Sequence, residues 1–247
     1  MGYTDMLGKF FTNNEDIIKP QNIGTKWLLK GHAENSFFKW VSSWSISMRK
    51  PSDLKMGFPD DRHMLPELIT NYDTVINRNP LTINGQMQIF ASVAKGFKEI
   101  RAEEKATVGI RCERAVELTQ GHKTSVYWCN RNDEGDLLNH LDPAAYQIKG
   151  SMNIEKKEEI LLAFANGEID RLITKPKMTA FGLNWQHCGH TVYFPTFSYE
   201  QYYQAIRRFW RYGRTEKVIA DIVHTDGQKR IIAVSYTHLT LPTKRIV

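Results

Sequence analysis

Residues 198–214 read SYEQYYQAIRRFWRYGR, and this stretch decides the fold once its flanks are added. Ser198 followed three residues later by Gln201 is a capping-box start, and Gly213 is suited to stop a helix, so a helix is predicted over 198–211. On a wheel of about 100° per residue, Tyr199, Tyr202, Tyr203, Ile206, Phe209 and Trp210 share an arc of about 120°, the width of a core-facing stripe. Gln204, Arg207, Arg208 and Arg211 fall on the opposite side. Immediately before the helix lies TVYF (191–194), and after it VIADIV (218–223), both short apolar runs rich in β-branched residues. A helix between two such runs is a βαβ unit, in which the strands are parallel.

Working back toward the N-terminus, the same alternation continues. TSVYWC (124–129) reads as a buried strand, 133–141 as a helix, 146–148 as a strand, 155–166 as a helix ended by Gly167, and DRLIT (170–174) as a strand. The expected fold is α/β, with a mainly parallel sheet covered by helices on both faces. Residues 1–100 show little strand pattern. Phe37, Trp40, Val41, Trp44 and Met48 recur at helical spacing, which predicts a helix over 36–49 stopped by Pro51. Further helices are predicted over 86–105 and 108–118.

Composition narrows the function classes. The 247 residues are 41% hydrophobic and 24% charged, values of an ordinary globular chain. Three cysteines without C-x-x-C spacing argue against a disulfide scaffold and a cysteine-rich zinc module. No apolar run reaches 18 residues and the first 20 residues are charged, so neither a membrane span nor a secretory signal is expected, and the location expected is cytoplasmic. The net charge of +6 hints at a polyanionic partner.

Arginine suits phosphate because its planar fork donates paired hydrogen bonds and stays charged. On pattern alone, the Arg207, Arg208 and Arg211 arc fits a solvated basic face equally well. The segment from Gln204 to Arg214, QAIRRFWRYGR, resembles the Q-A-x-G-R-x-x-R-x-G-Q signature of Swi/Snf-type superfamily-two helicases, with Arg207 in place of Gly and Arg214 in place of Gln. KMTAFGLNW (177–185) resembles the family's K-A-G-G-x-G-L-N-L loop, and YQIKGS (146–151) its strand followed by a Gly-Ser turn. The three motifs occur in family order.

The resemblance implies a second RecA-like lobe, preceded by a mostly helical inter-lobe region over 1–100 and occupying 101–233. It implies that Arg208 and Arg211 reach the ATP γ-phosphate and that Gln204, Gly182 and Asn184 border the nucleotide. Lys149, Gly150, Ser151 and Lys177 would hold phosphates of DNA, expected to be double-stranded. ATP and Mg2+ would be held mainly by the N-terminal RecA-like lobe of the same parent, a phage-like or metagenomic protein, because no G-x-x-x-x-G-K-[ST] loop is present here. This stretch alone would then be inactive, and Met1 would be an internal methionine or a truncated start. The alternative is a non-catalytic α/β module that grips nucleic acid.

Two motifs are decoys on this reading. Asp133-Glu134-Gly135-Asp136 looks like an acidic Mg2+ box, but Asn130-Arg131-Asn132 separates it from the apolar strand, and a helix cap is the better expectation. His187-Cys188-Gly189-His190 lacks metal-ligand spacing and is expected to pack. Residues 234–247, beginning VSYTHLTLPT, resemble a translated sequencing adaptor and are expected to be an unstructured tail.

Overall fold

A computed structural model describes residues 2–13, 27–46, 48, 50–77, 82–83, 86–87, 96–178, 183–229 and 232. The chain divides into two compact units, Met1–Asp61 and Arg62–Val247. In the first, helix α1 (Tyr3–Phe10) leads into strand β1 (Phe11–Asn13), which pairs antiparallel with β2 (Trp27–Leu29). Helix α2 (Glu34–Ser42) follows. Its aromatic stripe is real: Phe37 and Trp40 enclose the buried Phe10, with ring centroids 5.3 and 5.7 Å away. The helix stops at Ser42, short of the predicted 49, and Trp44 and Met48 are exposed.

The second unit holds a six-stranded sheet in the order β3-β10-β9-β6-β8-β7, every pair parallel. The strands are β3 (Leu68–Val75), β6 (Ser125–Trp128), β7 (Ala145–Gln147), β8 (Arg171–Thr174), β9 (His190–Tyr193) and β10 (Val218–Thr225). A small antiparallel pair, β4 (Thr82–Ile83) and β5 (Gln86–Met87), lies between β3 and the first helix of this unit. The helices are α3 (Phe97–Ala106), α4 (Val108–Thr119), α5 (Asn132–Leu141), α6 (Ile154–Ala165) and α7 (Tyr199–Ile206).

The sheet is buried on both faces because its strands alternate two apolar sets. Val126, Trp128, Leu172, Tyr193 and Ile222 face one core with Ile160 and Phe164 of α6 and Tyr202 and Ile206 of α7. Tyr127, Ile173, Val192 and Val223 face the other, with Cys112 and Ala115 of α4 and Leu138 of α5. Gly167 has φ +77, the left-handed cap conformation expected of it after α6. No helix among the described residues is long and apolar enough to cross a membrane.

Three expectations need correction. No strand was expected before residue 124, yet β3 forms an edge of the sheet. It is held by partners more than 140 residues away: Asn71 donates to Asp221 at 2.7 Å and the Trp210 indole to the Pro66 carbonyl at 2.6 Å. Gln86–Met87 is strand rather than helix, and the helix predicted from 86 begins at Phe97. The helix predicted over 198–211 ends at Ile206 and continues as tight turns, with Arg208 N–H bonding Ala205 and Phe209 N–H bonding Ile206. Residues 234–247 lie outside the described residues.

Candidate functional site

Adjacent parallel strands end at one edge of the sheet, so the loops that follow them lie side by side. Loops after β6 (129–131), β8 (175–178) and β9 (194–198) enclose a cleft of about 500 Å³. Arg101, Arg131, Lys175 and Lys177 line it against one carboxylate, Glu104, so it is strongly cationic. The neighbouring loop after β7 carries Lys149, Gly150 and Ser151 and abuts the β8 loop: a Cβ on Gly150 would lie 3.9 Å from Met178 Sδ. The crevice outside the carboxyl ends of parallel strands is where open α/β sheets take ligands.

The structure thus brings Lys149, Gly150, Ser151 and Lys177 to one edge. Their partners differ. Lys149 Nζ pairs with Asp136 at 2.8 Å, and the Gly150 carbonyl accepts Lys157 Nζ at 2.8 Å. Lys177 makes no ion pair with a described residue, and Ser151 is exposed. Lys175 donates to Asn132 at 2.6 Å. Burial pushes the Cys129 thiol in this cleft up to about 12, so it is no nucleophile at neutral pH. Arg101, Arg131 and Lys175 were missed from the sequence. Their signal is position: Arg131 and Lys175 fall just after apolar strands, where a parallel sheet exposes its loops.

The signature arginines sit beyond α7. The predicted wheel fails for them, because the helix ends before the first. Arg208, assigned to the open side, is 5% exposed, whereas Tyr203, assigned to the buried stripe, is 39% exposed. The Arg208 guanidinium lies over the Trp185 ring at 5.5 Å and makes no hydrogen bond or ion pair with a described residue. Burial, with a further contribution from nearby Arg211, pulls its pKa below the usual arginine value.

Arg211 is exposed and donates to the Leu183 carbonyl at 3.1 Å, while Trp185 N–H bonds the Arg208 carbonyl at 3.0 Å. The 183–186 loop and the arginine turn are therefore stitched together. The two departures from the signature are explained locally. Arg207 is sandwiched between the rings of Tyr203 (5.1 Å) and Trp210 (4.7 Å). Arg214 clamps the same loop through the carbonyl of Gln186 and is itself steadied by the nearby Glu216 carbonyl at 2.9 Å. Gln204 is exposed. Asn184 is exposed and bonds Gln186 rather than the arginines. Gly182 lies outside the described residues.

Both decoys are accounted for by contacts. Glu134 accepts the backbone N–H groups of Asn130 (2.9 Å) and Arg131 (3.0 Å) at the start of α5, and its other oxygen meets Arg111 at 2.7 Å with both side chains 1% exposed. Asp133 is held by Arg131 and Asp136 by Lys149. His190 is buried in a chain of hydrogen bonds, with Ser125 at 2.6 Å on one ring nitrogen and Asp221 at 2.8 Å on the other. Among the described residues no three His, Cys, Asp or Glu side chains cluster as a metal site. Glu134 is engaged by Arg111 and by backbone N–H groups, as a helix cap is.

Residues 107–213 match the family described as the helicase conserved C-terminal domain. Among solved structures the chain is similar to Saccharomyces cerevisiae Dbp5 bound to Gle1 and IP6, at 13% identity and a TM-score of 0.53, over 85% of this chain and 46% of that one. It is also similar to the C-terminal domain of the DEAD-box protein Dbp5 (15% identity, TM-score 0.48, 71% of this chain and 86% of that one). A third likeness is to the C-terminal part of the Fun30 ATPase domain (16%, 0.45, 51% and 45%). The chain therefore spans less than half of the first and last of these. No curated protein sequence matches it. The fold is that of a RecA-like C-terminal helicase lobe.

Proposed function

We propose that this chain is the second motor lobe of a Swi/Snf-type, ATP-dependent translocase acting on double-stranded DNA, paired with an N-terminal RecA-like lobe of its parent. In this reading Arg208 and Arg211 stabilise negative charge on the phosphoryl group of an ATP held mainly by the other lobe, and Gln204, Gly182 and Asn184 border that nucleotide. Lys149, Gly150, Ser151 and Lys177, with the cleft cations Arg131 and Lys175, grip DNA phosphates. Nucleotide binding and release then shift the two lobes between open and closed arrangements. In this reading Mg2+, like the ATP, is held mainly by the other lobe.

The observation that carries the reading is Arg208. Among the described residues no anion meets this buried guanidinium, and such a charge is costly unless a ligand supplies the missing partner. A second arginine, Arg211, lies close enough to depress its pKa, as two groups aimed at one polyphosphate would.

The test is reconstitution with the separately expressed first lobe. DNA-stimulated ATPase is expected to fall by about 10³-fold or more for Arg211→Ala, the scale of arginine fingers in GTPases. An ATPase untouched by that change removes the mechanism and leaves the non-catalytic binding module. The chain by itself is expected to show no ATP turnover.

A further inference from the structure

The acidic segment Asp133-Glu134-Gly135-Asp136 has no part in the mechanism above, yet its three carboxylates take three cations. Glu134 is structural, buried against Arg111. The other two point to the cationic edge. Asp133 engages Arg131 as a two-pronged fork, Nε to Oδ1 at 2.8 Å and Nη2 to Oδ2 at 2.5 Å. Asp136 Oδ1 takes both Lys149 Nζ at 2.8 Å and Gln147 Nε2 at 3.0 Å. The Arg131 fork is the same geometry in which arginine receives a phosphate.

From this we infer that Asp133 and Asp136 are resident competitors for nucleic-acid phosphate, occupying Arg131 and Lys149 until a polyanion displaces them. The inference rests on the nucleic-acid reading of this edge. The pairs are suited to exchange because they are open to solvent: side-chain exposure is 31% and 46% for Arg131 and Asp133, and 48% and 55% for Lys149 and Asp136. Ion pairs so exposed are weak and screened by salt. Once released, the carboxylates remain on the first two turns of α5. Asp133 already accepts the Glu134 N–H at 3.0 Å there, and the positive end of the helix stabilises a carboxylate without its cation. Among the described residues Lys177 makes no ion pair, so it is open to first contact with a phosphate. Competition of this kind lowers affinity for any single anion and favours a ligand with several phosphates at once.

The experiment measures dissociation constants of the full chain for a labelled DNA duplex by fluorescence anisotropy across a salt series. Asp133→Asn and Asp136→Asn are each expected to tighten binding about threefold, and the double variant about tenfold. The salt slope should not change, since it counts phosphates contacted, whereas Arg131→Gln or Lys149→Gln should each reduce it by about 0.9. Asp170→Asn, before β8 on the opposite edge of the sheet, controls for overall charge. The decisive arm is a double-mutant cycle: Asp133→Asn should lose its effect in an Arg131→Gln background. Unchanged or weakened binding of the Asp→Asn variants, or a gain that persists without Arg131, overturns the inference while leaving the nucleic-acid reading in place. Affinity indifferent to Arg131→Gln, Lys149→Gln and Lys177→Gln together removes that reading and the inference with it.

Discussion

Arg111 on α4 and Arg208 in the turn after α7 are 1% and 5% exposed, but among the described residues only Arg111 of the two meets a carboxylate. Arg111 also donates to Thr107 Oγ1 at 3.1 Å and to the Glu104 carbonyl at 2.7 Å, and it lies 4.9 Å over the Phe194 ring. Every face of that guanidinium is used within the chain. The Arg208 guanidinium rests on the Trp185 ring and makes no hydrogen bond or ion pair with a described residue. The first arrangement closes a core; the second leaves the guanidinium against a ring, and in the proposed function it is there to meet ATP phosphate. The difference separates an arginine bonded on every side from one that, among the described residues, rests on a ring alone.

The largest expected effect breaks the closed region. Glu134→Ala strands the Arg111 charge and removes the α5 cap, and should lower stability by about 3–5 kcal/mol in urea denaturation. Arg208→Met, equally buried, should leave the stability of the chain unchanged or raise it, because no ion pair is lost. Equal losses for the two variants would erase the contrast.

A smaller effect tests how tightly the closed region is packed. A Cβ on Gly135 would lie 2.6 Å from Gln147 Nε2 and 3.3 Å from Cys129 Sγ. Gly135→Ala should therefore cost about 1–3 kcal/mol, and trimming Gln147 to Ala in the same chain should recover part of it.

The smallest effect is pH-dependent and falls on Glu104, whose carbonyl serves Arg111 while its carboxylate lines the cleft and bonds Gln228 at 2.7 Å. Burial raises its pKa, against the opposing pulls of Gln228 and Arg111. A carboxyl with a raised folded pKa favours folding in its protonated form. That contribution is complete below the ordinary glutamate value of about 4.3 and is lost as pH rises through the folded value. Glu104→Gln should raise the Tm near pH 8 and leave it unchanged near pH 4; a gain of equal size at both would assign the effect to packing instead.

Much of the lobe was legible in the sequence. Runs such as TVYF and VIADIV named β9 and β10, and Ser198 with Gln201 marked the start of α7, where Gln201 N–H bonds Ser198 Oγ at 3.3 Å. The acidic quartet was read as a cap, and Glu134 is one. The candidate site was legible only in part. Lys149 to Ser151 and Lys177 were picked out by motif and do share an edge, but the exposed state of Lys149 is conditioned by Asp136, a contact between α5 and the loop after β7. The helical wheel misplaced Arg208 because it assumed regular geometry through residue 211, whereas the 183–186 loop pulls the chain into tighter turns after Ile206.

Sequence alone determined the strands between residues 124 and 225, most of the helices between them, and that those strands are parallel, since periodicity and capping are written in neighbouring residues. Tertiary structure decided the strand order, the recruitment of β3 at the sheet edge, and which cations meet an acid and which do not. Those outcomes depend on which side chains distant segments bring within reach of one another. Local patterning carries no term for that, because a charge's environment is set by everything packed around it, and for Arg208 that packing leaves a buried guanidinium with no ion pair among the described residues.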